Sequence, residues 1–453
     1  MTSSERRTAV SLSVIYSMRM LGLFMILPVF SLYADKLQGA TPVLIGLALG
    51  IYGLTQGLLQ IPFGLLSDRI GRKPVILAGL LLFAAGSVLA AMSESIYGII
   101  AGRALQGTGA IAAVVMALAA DLTREDQRTK VMAMIGMSIG ASFMLAMVLG
   151  PLFDNWIGLS GIFWFTAAMA LVGLAIMVLV VPTPAHSSVH REAEPVPALF
   201  KKVLANGQLL RLDIGIYCLH TLLTASFLVF PLVLKNELGL SSDQHWGFYL
   251  PVLITSVILM VPLMILAEKH RRIKPVFQAA VLVLVLAQIA LAILPNRMEW
   301  FVIVLVVFFV AFNLLEAILP SLVSRMAPAD SKGTAMGFYS SSQFLGVFTG
   351  GLVGGYVLQH WGNTGVFLMC TAVAGCWFVI SLGMKAPRFL SSYVLNVGNI
   401  DVAQAALLAE KFNNIQGVEE VIVVTEDGVA YLKVEKKLLD EAALQACLAG
   451  AAG

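Results

Sequence analysis

Twelve long apolar runs, separated by short polar connections, constrain this chain more than any other feature. They fall at roughly 11–34, 43–66, 74–93, 96–120, 131–153, 161–182, 212–234, 246–267, 275–294, 300–325, 333–358 and 363–384. Each can cross the hydrocarbon of a bilayer, which takes about 20 helical residues at about 1.5 Å apiece. No water is available there, so each run must satisfy its own backbone as a helix. The expected fold is an all-α membrane protein of 12 transmembrane helices. Charged residues make up only 12% of the chain, against roughly 25% in soluble domains. The N-terminus MTSSERRTAV is polar and short, with no small-residue cleavage site, so no removable signal peptide is expected.

Basic residues set the expected orientation, because cytoplasmic loops hold the Lys/Arg excess. Alternate connections carry Arg69, Arg72 and Lys73; Arg124, Arg128 and Lys130; Arg191, Lys201, Lys202 and Arg211; Lys269, Arg271, Arg272 and Lys274; and Arg325 with Lys332. The opposite ones carry Lys36, Lys235 and Arg297. Both termini are therefore expected in the cytoplasm. The net charge of +3 reflects this bias and calls for no nucleic-acid partner. The 4 cysteines form no CxxC or His-spaced cluster, which supports neither a disulfide framework nor a metal site.

The chain is duplicated. Residues 64–74 read GLLSDRIGRKP, and residues 264–275 read MILAEKHRRIKP, a degraded copy in which Glu268 keeps the acid but Arg271 stands where the first has Gly71. Pro28 answers Pro231, Pro62 answers Pro262, and Pro74 answers Pro275. An offset of about 200 residues thus relates two six-helix bundles, expected at 1–182 and 211–387. Residues 183–210, rich in Pro, Ser and charge, read as a cytoplasmic linker.

The first charged loop carries G-x-L-x-D-R-x-G-R-K over 64–73. It resembles the loop 2–3 signature of the major facilitator superfamily. Residues 103–109, R-x-x-Q-G-x-G, resemble that family's span 4 signature. The resemblance implies two bundles rocking about a central site. It also implies a conformational latch of Gly64, Asp68, Arg69, Gly71, Arg72 and Asp121, in which the aspartate docks on span 11 and locks the outward-facing state. Asp68 sits where its own helix dipole disfavours it, so it needs a cation or another helix's N-terminus. Span 5 of the family's drug–proton antiporters carries G-x-x-x-G-P-x-x-G-G. Residues 146–155, AMVLGPLFDN, keep Gly150 and Pro151 but lose the rest, while 346–355, GVFTGGLVGG, have glycines without proline.

Intramembrane charges are costly and therefore face a protein interior. Arg103 is one, linked by the resemblance to proton transfer; the alternative is a structural arginine bonded to backbone. Arg19, His220 and Glu316 lie about nine residues inside spans 1, 7 and 10, roughly 13 Å deep in one layer. In the family those spans line the central cavity, so these three residues, with Asn313, are the expected proton and substrate pathway. Gln56 and Gln60 could add polar contacts. The many Phe, Leu and Met receive no role.

After Pro387 the pattern changes to a strand at 393–397, a helix at 402–413, strands at 418–424 and 429–434, and a helix at 438–448. This β-α-β-β-α order makes a small α+β ferredoxin-like domain at 388–453, whose missing fourth strand would have to come from LAGAAG. It resembles heavy-metal-associated domains, but GNIDVAQ stands where those carry Met-x-Cys-x-x-Cys, so no metal is expected. Its sheet edges could pair with a second copy.

The sequence reads as a proton-coupled secondary transporter, an exporter of small amphipathic compounds, with the proton gradient as driving force and no cofactor. A symporter or facilitator for a polar metabolite, or a membrane sensor that does not transport, remain alternatives. Its partners are the bilayer, protons and a small molecule. No GxxxxGK[ST] is present to support an ATP-driven pump.

Overall fold

The computed structural model describes all residues except 34–35, 184–195, 296, 387–390, 399–400, 426–427, 436–437, 441–442, 445–446 and 448–453. The linker's middle, part of the expected last helix and the strand expected after it therefore lie outside the described residues.

The first half comprises α1 (Ser3–Phe24), α2 (Pro42–Ile70), α3 (Arg72–Ala91), α4 (Ile96–Thr108), α5 (Ala112–Asp121) and α6 (Glu125–Leu179). A short helix, α7 (Phe200–Leu204), precedes the second half: α8 (Gly207–Leu232), α9 (His245–Lys269), α10 (Ile273–Ile293), α11 (Met298–Met326) and α12 (Lys332–Leu382). Local sequence explains the starts. Thr2 and Glu5 form a capping box, Thr41 caps α2 with Pro42 in its first turn, and Ser95 and Asn206 cap α4 and α8.

Nine helical stretches among the described residues qualify as membrane spans by length and hydropathy, α4 and α5 counting as one. α6 and α12 each contain two crossings joined at a glycine, Gly158 (φ 67°) and Gly362 (φ 65°), and the more polar α1 supplies the remaining one. The twelve expected crossings are thus accounted for. The two hinges stand at matching places in the repeat, where only a residue tolerant of positive φ can turn one helix into the next with no loop.

The charged loops and the tail lie at one end of the bundle, here termed the basic end. At the far end the halves meet backbone to backbone. A Cβ on Gly46 would lie 2.1 Å from the Gly351 carbonyl oxygen, and one on Gly50 2.7 Å from that of Phe348. Such small-residue contacts let helices approach closely. α6 also packs against α9 and the turn before it, Ser242–Gln244. Toward the basic end, α5 packs on α1, α2, α3 and α6, and α11 on α8, α9, α10 and α12, each within its own half. A Cβ on Gly136 or Gly140, in the basic-end part of α6, would meet nothing within 4 Å. The cleft between the halves therefore opens at the basic end. Gly46→Leu should pry the far end apart. Maleimide labelling of a cysteine placed at Val43 is expected to quicken several-fold; unchanged labelling would mean that this contact does not close the far end.

The tail forms β1 (Ser391–Asn396), α13 (Val402–Asn413), β2 (Val418–Val424) and β3 (Val429–Val434), an antiparallel sheet of order β1-β3-β2. β1 starts two residues earlier than its side-chain pattern suggests, because pairing with β3 extends to Ser391 opposite Val434. Asp401 and Gln404 form a capping box for α13.

Candidate functional site

Three polar clusters occupy the membrane half-proteins. The first lies at the basic end of the first half. Gly71, with φ 95°, turns α2 into α3 and brings Arg72 back against α2. The Arg72 guanidinium, 1% exposed, donates to Asp68, to Ser67 Oγ at 2.7 Å and to Asp121 Oδ2 at 3.3 Å. Asp68 thus finds its cation four residues along its own chain, and the bond it makes is to Arg72 rather than to the start of α12. Nearby, Glu5 accepts from Arg124 Nε at 2.9 Å. These bonds hold its carboxyl down at about 2, so the pair stays ionised at cellular pH and is lost only as pH falls from the ordinary 4.5 toward that value.

The second half repeats this corner with different chemistry. Glu268 accepts from Arg325 Nη2 at 2.8 and 3.0 Å. Arg325 ends α11 where Asp121 ends α5, so the acid of one copy is answered by a base in the other.

The second cluster is buried in the first half. Arg103, 2% exposed, donates to the carbonyl oxygens of Ala48 (3.3 Å) and Leu49 (3.5 Å) and to Gln106 Oε1 (2.9 Å), and lies 5.1 Å from the centre of the Tyr52 ring. Gln106 passes the network to Ser87 Oγ at 2.7 Å. This is the backbone-bonded arrangement. Arg19, 1% exposed, donates to Gln56 Oε1 at 2.5 Å and lies near the rings of Tyr52 and Phe83.

The third cluster is in the second half. Gln343 Nε2 lies 2.8 Å from His220 Nε2 and donates to Glu316 Oε1 at 3.3 Å. His220 Nδ1 lies 3.3 Å from the Ile216 carbonyl oxygen. A carbonyl and an amide N–H fix the tautomer: Nδ1 donates, Nε2 accepts, and the ring is neutral. Glu316 Oε2, 3.9 Å from His220 Nε2, has no hydrogen-bond partner. The Glu316 side chain is 38% exposed with Oε2 itself buried, and its contacts with His220 on α8 and Gln343 on α12 turn it toward the protein interior.

Arg19 and the His220–Glu316 pair therefore do not form one site. Arg19 turns into its own half, toward α2 and α3, and not to Glu316. Asn313 also diverges, donating to Ser256 on α9 at 3.2 Å. One partner and two neighbouring polar residues were missed. Gln343 lies in the polar stretch SSSQF of span 11, a signal that could have been used. Tyr339, one turn before it, and Asp213, seven residues before His220, are both buried and on the basic-end side. Asp213 is 7% exposed with no ion-pair partner among the described residues.

Phenylalanines close the cleft above this cluster. Phe143 of α6 lies 5.3 Å from Phe24, 6.4 Å from Phe227 and 6.3 Å from Phe312, ring centre to ring centre. Phe312 stands one turn from Glu316 and Phe227 two turns from His220, both toward the far end. These rings join both halves into an apolar plug.

Two helical bundles around a central cleft, polar on one side and sealed at one end, fit a membrane transporter. The chain belongs to the Major Facilitator Superfamily, whose family profile matches residues 12–346 and 212–392. It is 47% identical over 97% of its length, and 96% of the relative's, to the "Inner membrane transport protein YajR" of Escherichia coli K12. It is 29% identical to the "Multidrug resistance protein MdtH" of Aeromonas salmonicida, over 76% of this chain and 85% of that one. Its fold matches, with a TM-score of 0.70 at 13% identity, a bacterial homologue of the human lysosomal transporter Spinster in an inward-facing, occupied conformation, over 84% of this chain and 96% of that one.

Proposed function

We propose that this transporter is a proton-coupled exporter of small amphipathic compounds, with the basic end in the cytoplasm. One observation carries the reading. Glu316, held by Gln343 beside a neutral His220, keeps one carboxylate oxygen buried and without a hydrogen bond, while the side chain as a whole is partly exposed. A proton arriving at that oxygen would cancel the charge of Glu316, while His220 Nε2 keeps its single lone pair on Gln343. A cationic or polar group of a substrate would compete for the same oxygen, and such competition is what coupling requires. The apolar rings around the cluster suit the rest of an amphipathic molecule. The multidrug-resistance name of a relative favours export, and the inner-membrane name of another favours that location.

Arg103 enters this reading as the strut that fixes α4 against α2, and Arg19 as a buried cation of the first half. Asp68, Arg69 and Arg72, flanked by Gly64 and Gly71 and backed by Asp121, form the latch. With the cleft open at the basic end, the latch is in its released form, its acid held by Arg72.

The test is proton flux in proteoliposomes. An imposed pH gradient should drive accumulation of an amphipathic cationic dye, and dye added to one side should move protons. Dye movement without protons would point to a facilitator, and binding without either flux to a sensor.

A further inference from the structure

Both faces of the tail's sheet are covered. Along β3, Ala430, Leu432 and Val434 join the tail's own core with Leu408 and Phe412. Alternate strand residues face the other way, yet Tyr431 and Lys433 are also only 6% exposed. The membrane half covers them. β2 and β3 pack on the turn Ala329–Ser331, which leads into α12. Lys433 Nζ donates to the carbonyl oxygens of Arg325, at 3.1 Å, and of Ala327. These carbonyls end α11, where unsatisfied acceptors and the helix dipole favour a cation.

A second contact comes from the degraded loop. Arg271 Nη1 lies 3.7 Å from Glu435 Oε1. Arg271 occupies the place of Gly71 and keeps a left-handed backbone, φ 53°, the only positive φ outside glycine among the described residues. An arginine is disfavoured there relative to glycine, and its side chain reaches the tail. The same turn also holds the linker, since Lys202 Nζ donates to both oxygens of Asp330, at 2.8 and 2.9 Å, and the Val196 amide donates to Thr334 Oγ1 at 2.9 Å.

We propose that the second charged loop, 264–275, together with the end of α11 and the turn at 327–331, is a docking site for this chain's own C-terminal domain. Lys433 and the Arg271–Glu435 pair are its pins, and docking holds the start of α12 in place. The loss of glycine in the second copy is then a change of use: a turn that serves a latch in one half serves a receptor in the other. This goes beyond proton coupling and does not depend on it.

Hydrogen–deuterium exchange on the full chain in nanodiscs tests the docking without substrate or gradient. Lys433→Met should speed exchange several-fold over 327–334 while α13 and β2 stay protected. Arg271→Glu should do the same to a lesser degree, and adding Glu435→Arg to it should restore the original rate. Unchanged exchange at 327–334 in both single variants would overturn the proposal, as would a double variant no slower than Arg271→Glu. If Lys433→Met costs the tail its own protection, Arg271→Glu, whose substitution lies in the membrane half, decides by the same criteria.

Discussion

Glu316→Gln is expected to reduce pH-gradient-driven dye transport in proteoliposomes to background, while downhill dye exchange persists. The substitution keeps the side chain's length and an oxygen able to accept from Gln343, whose bond to Glu316 is 3.3 Å. The fold should therefore survive. What disappears is the exchangeable proton, because an amide does not titrate. An uncharged side chain at this depth removes a burden and adds no strain, so thermal stability in detergent should hold or rise. If gradient-driven transport were unchanged in Glu316→Gln, the coupling site would lie elsewhere, with Asp213, buried on the basic-end side of His220, as the next candidate.

Asp68→Asn should lower transport by at least about tenfold, which corresponds to about 1.4 kcal/mol in the balance between states. Arg72 keeps Asp121 and Ser67 as partners, so the corner should stay folded. Lost instead is the charge able to exchange Arg72 for the start of α12 when the cleft closes at the basic end. Glu268→Gln should cost less. The Arg325–Glu268 pair is partly exposed on both sides, 23% and 36%, and such pairs contribute about 1 kcal/mol or less, or about fivefold. Cysteine accessibility at both ends of the cleft, read beside transport, separates a shift of states from loss of protein. Equal effects of the two substitutions would remove the asymmetry between the loops.

The fold was legible because membrane crossings write themselves into run length. α13, β2 and β3 were legible to the residue because caps and turns flank them. Gly158 and Gly362 were not: inside an apolar pattern, a hinge glycine reads like any packing glycine until its φ is known. The site was legible in one coordinate only. Counting residues gives the height of Arg19, His220 and Glu316 in the membrane, and that height is shared. It does not give the direction each faces around its helix, which packing decides, and so Arg19 was grouped with residues it does not touch. Lys433 was illegible for a related reason. A lysine on a strand reads as solvent-facing, and only the tail's placement against α11 buries it.

The contact of Gly46 and Gly50 with Gly351 and Phe348 carries one last consequence. Interdigitated side chains must unlock before two surfaces can turn past each other, and each rotamer change adds to the barrier. A seam of bare backbone has almost nothing to unlock. It behaves like a plain bearing, keeping the helices in touch while they pivot, and it leaves the speed of rocking to the charged corners at the other end of the lever.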